Sequence, residues 1–315
     1  MGQATVCRKN AVGAFRTLSK RWSWLGYSGV LGALLISGYY YLIAGWSLQY
    51  FADSVTGGMF NSPLPFKEQF DLFQASWKPL IWGVVFILMT HFIVARGVEK
   101  GIEKASKVMM PMLFFIVIGI AIYSVTLPGA KAGLDYLFTP DFSKIDAKAV
   151  ASALGQAFFS LSLGFGTIMT YASYVDKKEN IMFQSTATAV SDLMFALIAG
   201  VAIMPAVFAF GISPQAGPGL VFETLPYVFG QMPAGGFIAI LFFVALLVAA
   251  LTSSISMLEV AVAYLVEEKN FSRIWACVVL FIICWVVGAV CSAQFHRLPG
   301  FFKGVHPADA PQKRI

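Results

Sequence analysis

The residues best able to do chemistry are hydroxyls, glycines and carboxylates set inside apolar runs. The stretch GQAFFSLSLGFGTIMTYASYV (155–175) holds Ser160, Ser162, Gly164 and Gly166 close together. Glycine in a helix interior costs about 1 kcal/mol relative to Ala, so a helix has a weak point there. A break frees carbonyls and amides, and at membrane depth such groups persist only where they line a cavity. The other reading is a tightly packed helix of small residues. A second motif, Ala249-Ala250-Leu251-Thr252-Ser253-Ser254, sets three hydroxyls in a row. Oxygens of this kind suit a hard cation; alternatively each hydroxyl bonds back to a carbonyl one turn earlier.

Two acids, Asp192 and Glu259, fall within the apolar stretches. A carboxylate inside a membrane is costly, so its presence points to function. Asp192 could neutralise a bound cation. Glu259, six residues past Ser253, could pair with a cation near the helix end or act as a gate. Tyr39, Tyr40 and Tyr41 point in three directions around a helix, and their spacing does not say which one faces a cavity. His91 reads as a helix histidine. Cys277, Cys284 and Cys291 form one packed stripe, because no nearby His or carboxylate completes a metal set. Asn270-Phe271-Ser272 matches a glycosylation sequon by chance, since it falls on the expected cytoplasmic side. With no Walker loop and no nucleophile elbow, the chain is not expected to be an enzyme or to hold a cofactor.

These residues need a membrane to position them. Of 315 residues, 58% are hydrophobic and only 12% are charged, about half the share of a soluble domain. The mean hydropathy is +0.75. This excludes an ordinary soluble enzyme, a disordered chain and a nucleic-acid binder. Uncharged runs cover 22–52, 79–95, 108–130, 149–175, 193–222, 224–258 and 274–296. A membrane helix needs about 20 apolar residues, so about seven spans are expected, in an all-α integral membrane bundle. No strand-like alternation supports a barrel. The region 211–236 is rich in Gly and Pro, and its middle, 220–230, suits a short re-entrant or capping helix.

Charge sets the orientation. Thirteen of the 22 Lys and Arg fall on one side: Arg8, Lys9, Arg16, Lys20 and Arg21, then Arg96, Lys100, Lys104 and Lys107, then Lys177, Lys178, Lys269 and Arg273. The opposite loops carry Lys67, Lys78, Lys131, Lys144 and Lys148. The positive-inside rule then puts the N-terminus in the cytoplasm. This also accounts for the net charge of +6 without nucleic acid.

At SLSLGFG, with TSS in a later span, the sequence resembles the neurotransmitter:sodium symporter family in its bacterial, LeuT-type branch. The segment 155–175 looks like the family's sixth helix and AALTSSISMLE like its eighth. YYYLIAGWSL looks like its third, and KNAVGAF like the loop before it. The resemblance implies a LeuT-type inverted-repeat bundle with one broken helix. It implies sodium-coupled symport of an amino acid, hydrophobic or aromatic, or of a related amine, across a bacterial inner membrane. Carried over position by position, the substrate residues would be Ile36, Tyr40, Phe159, Ser160, Ser162, Phe165, Ser253 and Met257. Tyr40 would bond the substrate carboxylate, and Phe159 would also close an outer gate. One sodium would use Ser160 and Asp192; the other would use the Ala249 carbonyl, Thr252 and Ser253. Asp192 stands where many relatives have Asn, and its charge would make chloride unnecessary.

The match begins at the end of the family's second helix and stops after its ninth. It therefore implies an internal fragment, lacking the first two and last three helices. Residues 1–21 would be a cytoplasmic juxtamembrane segment, 22–292 the transmembrane core and 293–315 an atypical tail. Such a fragment is expected to be inactive alone. Ser160, Asp192 and Thr252 would lack partners, at about 1–3 kcal/mol for each unsatisfied group. The alternative is a non-transporting membrane binding or assembly fragment. Its partners would be the bilayer and a second copy or a complementing fragment.

Overall fold

The computed structural model describes residues 9–175, 179–211 and 218–297. Among them every regular element is helical. A short helix α1 (Ala11–Leu18) is capped by the Asn10 side chain, which accepts from the Val12 and Gly13 amides at 2.9 and 3.1 Å. The long α2 (Ser23–Thr56) ends at Gly57, whose φ of 75° stops the helix with a left-handed residue only glycine adopts cheaply. After α3 (Phe66–Gln74) the chain returns through α4 (Lys78–Ala95). Then follow α5 (Lys104–Val125), α6 (Ala130–Phe138), α7 (Ala147–Ser160) and α8 (Thr167–Tyr174). The last four are α9 (Ile181–Ala209), α10 (Leu225–Gln231), α11 (Gly235–Lys269) and α12 (Arg273–Arg297).

Six described helices are long and apolar enough to cross a membrane: those within Lys20–Thr56, Lys78–Ala95, Lys100–Val125, Ile181–Ala209, Gly235–Lys269 and Arg273–Ser292. The seventh expected span, 149–175, is not a single helix. It splits into α7 and α8, and Ser162 at φ 54°, Gly164 at φ 92° and Gly166 at φ 81° occupy the break. Local composition thus placed the break correctly. The uncharged run 224–258 also divides, because Pro233 and Ala234 separate the short α10 from α11. The expected capping helix at 220–230 is realised by a wide-turn segment, Leu220–Thr224, followed by α10.

The core is held by α2 and α11, which pack along each other and against α4. Small residues make this possible. A Cβ on Gly45 of α2 would stand 2.5 Å from the Gly83 nitrogen of α4, so the two backbones touch. At the Thr56 end, Trp46 and Tyr50 of α2 pack with Phe70 and Phe73 of α3 and with Phe222. At the Lys20 end, α1 lies against α11: Asn10 donates to Glu267 from its backbone and its side chain, both at 2.8 Å. Arg16 pairs with Glu268 at 2.6 Å, and this hydrogen bond raises the Arg16 pKa above its ordinary value. The expectations for Lys177, Lys178 and the tail beyond 297 lie outside the described residues.

Candidate functional site

The break between α7 and α8 meets α2 where α2 has glycine. A Cβ on Gly29 would come 3.3 Å from the Gly166 nitrogen, and one on Gly32 would lie 3.6 Å from the Phe165 Cβ. Phe165, 8% exposed, and Met257 of α11, 5% exposed, belong to one apolar cluster. Ile36 and Tyr40 of α2 pack against it. Tyr40 lies near Ser253 of α11. Five of the eight expected substrate residues (Ile36, Tyr40, Phe165, Ser253 and Met257) are therefore brought together from three separate elements.

Of the other three, Ser162 sits half-buried in the break itself. Phe159 is 53% exposed on α7, a helix with no buried residue. Ser160, the last residue of α7, turns instead toward α9.

Four of the five expected cation residues fall into two pairs, and Ser253 lies outside both. Ser160 Oγ lies 2.7 Å from Asp192 Oδ1 and 2.8 Å from Oδ2, so one hydroxyl spans both carboxylate oxygens. Thr252 Oγ1 donates to the Ala249 carbonyl at 2.9 Å. Ser160, Asp192 and Thr252 are therefore not left without partners, contrary to the expectation from sequence. Each finds a bond within the chain, because Asp192 accepts from Ser160 and the Thr252 hydroxyl folds back one turn. Ser254 is fully buried; it bonds the Leu251 carbonyl at 2.9 Å and Thr90 of α4 at 3.0 Å.

A second polar cluster lies deeper toward the Lys20 end. Glu259 is 0% exposed. Arg273, at the start of α12, meets both its oxygens with two guanidinium nitrogens. Tyr174, at the end of α8, donates to Glu259 Oε1 at 2.7 Å. Arg273 Nε also donates to the Val94 carbonyl at 2.7 Å. Four helices are tied at one point. The sequence offered a pairing or a gate for Glu259, and the pairing is present. Tyr174 and Arg273 were missed. A signal existed: Arg273 is the first cation after the turn at 270–272 that reverses α11 into α12.

His91 is bonded on one side only, with Nδ1 2.8 Å from the Ile87 carbonyl. Its Nε2 has no hydrogen-bond partner among the described residues. Cys277 and Cys284 are buried free thiols in the apolar clusters, as packing predicts.

Residues 74–296 match the model of the sodium:neurotransmitter symporter family. The chain belongs to this family. It is 40% identical over 280 residues to an uncharacterized sodium-dependent transporter of Haemophilus influenzae, covering 84% of this chain and 61% of that one. It is 38% identical over 304 residues to an uncharacterized sodium-dependent transporter of Bacillus subtilis, covering 94% of this chain and 66% of that one. The chain thus spans under two thirds of the length of these relatives. Among solved structures it is similar to MhsT in complex with L-phenylalanine, with a TM-score of 0.88 and 42% identity. That likeness covers 96% of this chain and 73% of MhsT. Family membership and the apolar helices make this an integral membrane protein with the LeuT-type fold.

Proposed function

We propose that the chain carries the substrate and ion residues of a sodium-coupled symporter for a hydrophobic or aromatic amino acid. The observation that carries this reading is the meeting of Ser160 and Asp192, 32 residues apart, beside the helix break. A hydroxyl and a carboxylate at one place supply the oxygens and the charge that a hard cation takes. One sodium exchanges its water for Ser160 and Asp192; the other takes the Ala249 carbonyl, Thr252 and Ser253. Asp192 supplies the negative charge locally, so chloride is not required.

The amino acid's carboxylate is bonded by Tyr40, which already faces Ser253. Ile36, Phe165 and Met257 surround its side chain, and Ser160 and Ser162 offer polar groups along the break. Phe159 closes over the substrate from the Thr56 end. The bound L-phenylalanine of MhsT supports an aromatic or large apolar substrate. The buried group of Glu259, Arg273 and Tyr174 closes the Lys20 end and must part for release. That end faces the cytoplasm of a bacterial inner membrane, because the cations gather there. Residues up to 21 act as the juxtamembrane segment and 22–292 as the bundle, whose last helix α12 runs on to Arg297.

A second reading is a membrane binding or assembly protein that does not transport by itself, working with a second copy or a complementing fragment. It is favoured by α7, none of whose residues is buried. One experiment addresses both. The chain is reconstituted in proteoliposomes, and sodium-dependent binding and uptake of labelled phenylalanine or leucine are measured. Sodium-dependent binding is the expected result of the first reading, and binding without uptake that of the second. Robust uptake removes the second reading, and no sodium-dependent binding overturns the first.

A further inference from the structure

At the Lys20 end, α4 turns into α5 through a tight corner. Gly97 takes φ 90°, and a wide-turn helix, Val98–Glu103, leads into α5. The corner is close enough that a Cβ on Gly101 would stand 3.0 Å from the Arg96 Cβ. The residues around 96 and 101 therefore lie side by side. Arg96, Lys100 and Lys104 are all exposed there. None of the three has a carboxylate in ion-pair range among the described residues, whereas Lys107 is taken by Glu103 at 2.6 Å. The Arg96 guanidinium carbon rests 4.0 Å from the centre of the Phe92 ring. A cation over an aromatic face is held at the apolar surface instead of extending into water.

Both helices lead apolar stripes to this corner. On α4, Ile81, Val85, Leu88 and Phe92 are exposed at steps of four, three and four residues, and Arg96 follows four later. On the other helix, Lys100 and Lys104 are followed four residues on by Val108 and then by Phe115, 65% and 72% exposed. Residues at such steps share a helix face. Both faces are apolar and exposed among the described residues, and each ends in cations at the same corner. A free phosphate would use the cations and gain nothing from the stripes. An anionic phospholipid uses both, and an arginine beside two lysines suits its phosphate.

We propose that the α4–α5 corner is a binding site for an anionic phospholipid, with Arg96, Lys100 and Lys104 on the headgroup phosphate. The acyl chains run along Phe92 and Leu88 on one side and Val108 and Phe115 on the other.

The test uses the purified full chain in mild detergent, with phosphatidylglycerol or phosphatidylcholine added and retained lipid read by native mass spectrometry. Phosphatidylglycerol should be retained in preference. The variant R96Q/K100Q/K104Q should lose this retention, by about fivefold per cation removed. The control K67Q/K78Q/K131Q, which changes lysines at the other end, should keep it. Equal retention of the two lipids, or full retention by R96Q/K100Q/K104Q, would overturn the site. Displacement of phosphatidylglycerol by millimolar inorganic phosphate would assign the cations to free phosphate instead, which also overturns it. If the triple variant does not fold, salt decides on the unmodified chain. Phosphatidylglycerol retention should fall several-fold between low and high ionic strength, and unchanged retention counts against the proposal.

Discussion

Arg273 grips Glu259 with two guanidinium nitrogens while Glu259 is wholly buried, and Tyr174 adds a third bond to the same carboxylate at 2.7 Å. A buried pair of this kind is asymmetric. Its presence adds little net stability, but removing one partner strands a charge at a cost of about 3–5 kcal/mol. The single variants E259Q and R273Q should therefore lower the melting temperature in detergent more than the double variant does. A double variant that is worse than either single one would show that the pair does not act as a unit. Fluorescence-detected size exclusion after heating provides the readout.

Asp192 and Ser160 should set sodium affinity. S160A removes one oxygen and D192A removes the charge. Either is expected to raise the sodium concentration needed for half-maximal binding about tenfold, equivalent to about 1.4 kcal/mol. Binding by the unmodified chain should be equal in sodium chloride and sodium gluconate, whereas D192N should prefer chloride. Scintillation proximity binding in the two salts distinguishes these outcomes. Loss of binding by the unmodified chain in gluconate would show that the carboxylate does not replace the anion.

Tyr40 is the tyrosine that packs against the cluster of Phe165 and Met257. Y40F keeps the ring and removes the hydroxyl. Substrate affinity should fall about tenfold, the scale of one hydrogen bond to a charged group, while the melting temperature without substrate changes little. Y39F, on the exposed neighbour, should leave affinity intact. An affinity unchanged in Y40F would remove Tyr40 from the substrate site.

The α2–α4 crossing allows a test of packing alone. In G45A the new Cβ would meet the Gly83 nitrogen at 2.5 Å and the Trp82 carbonyl carbon at 2.7 Å, both backbone atoms that cannot swing away. In G83A its nearest neighbours would stand at 3.7 Å. Overpacking costs about 1–3 kcal/mol, so G45A should lower folded yield and melting temperature while G83A is tolerated. The two glycines lie on facing helices, and equal effects would show that the crossing is looser than described.

Much of the bundle could be read from composition. Uncharged runs marked the membrane helices, because a charge inside hydrocarbon is costly wherever the partner helices lie. The break at 161–166 was visible too, since glycine and serine weaken a helix through their own backbone energetics. These properties are local, so the sequence by itself determined them. Tertiary structure alone decided the pairings. Three adjacent tyrosines lie about 100° apart around a helix; packing left Tyr39 exposed, set Tyr40 against Ser253 and buried Tyr41 completely. Ser160 found Asp192 and Glu259 found Arg273 and Tyr174 because helices distant in sequence cross at those depths. A crossing depends on how far each helix is rotated and shifted along its axis. Mean hydropathy does not change with rotation, so the sequence marks the helices but leaves their facing sides open.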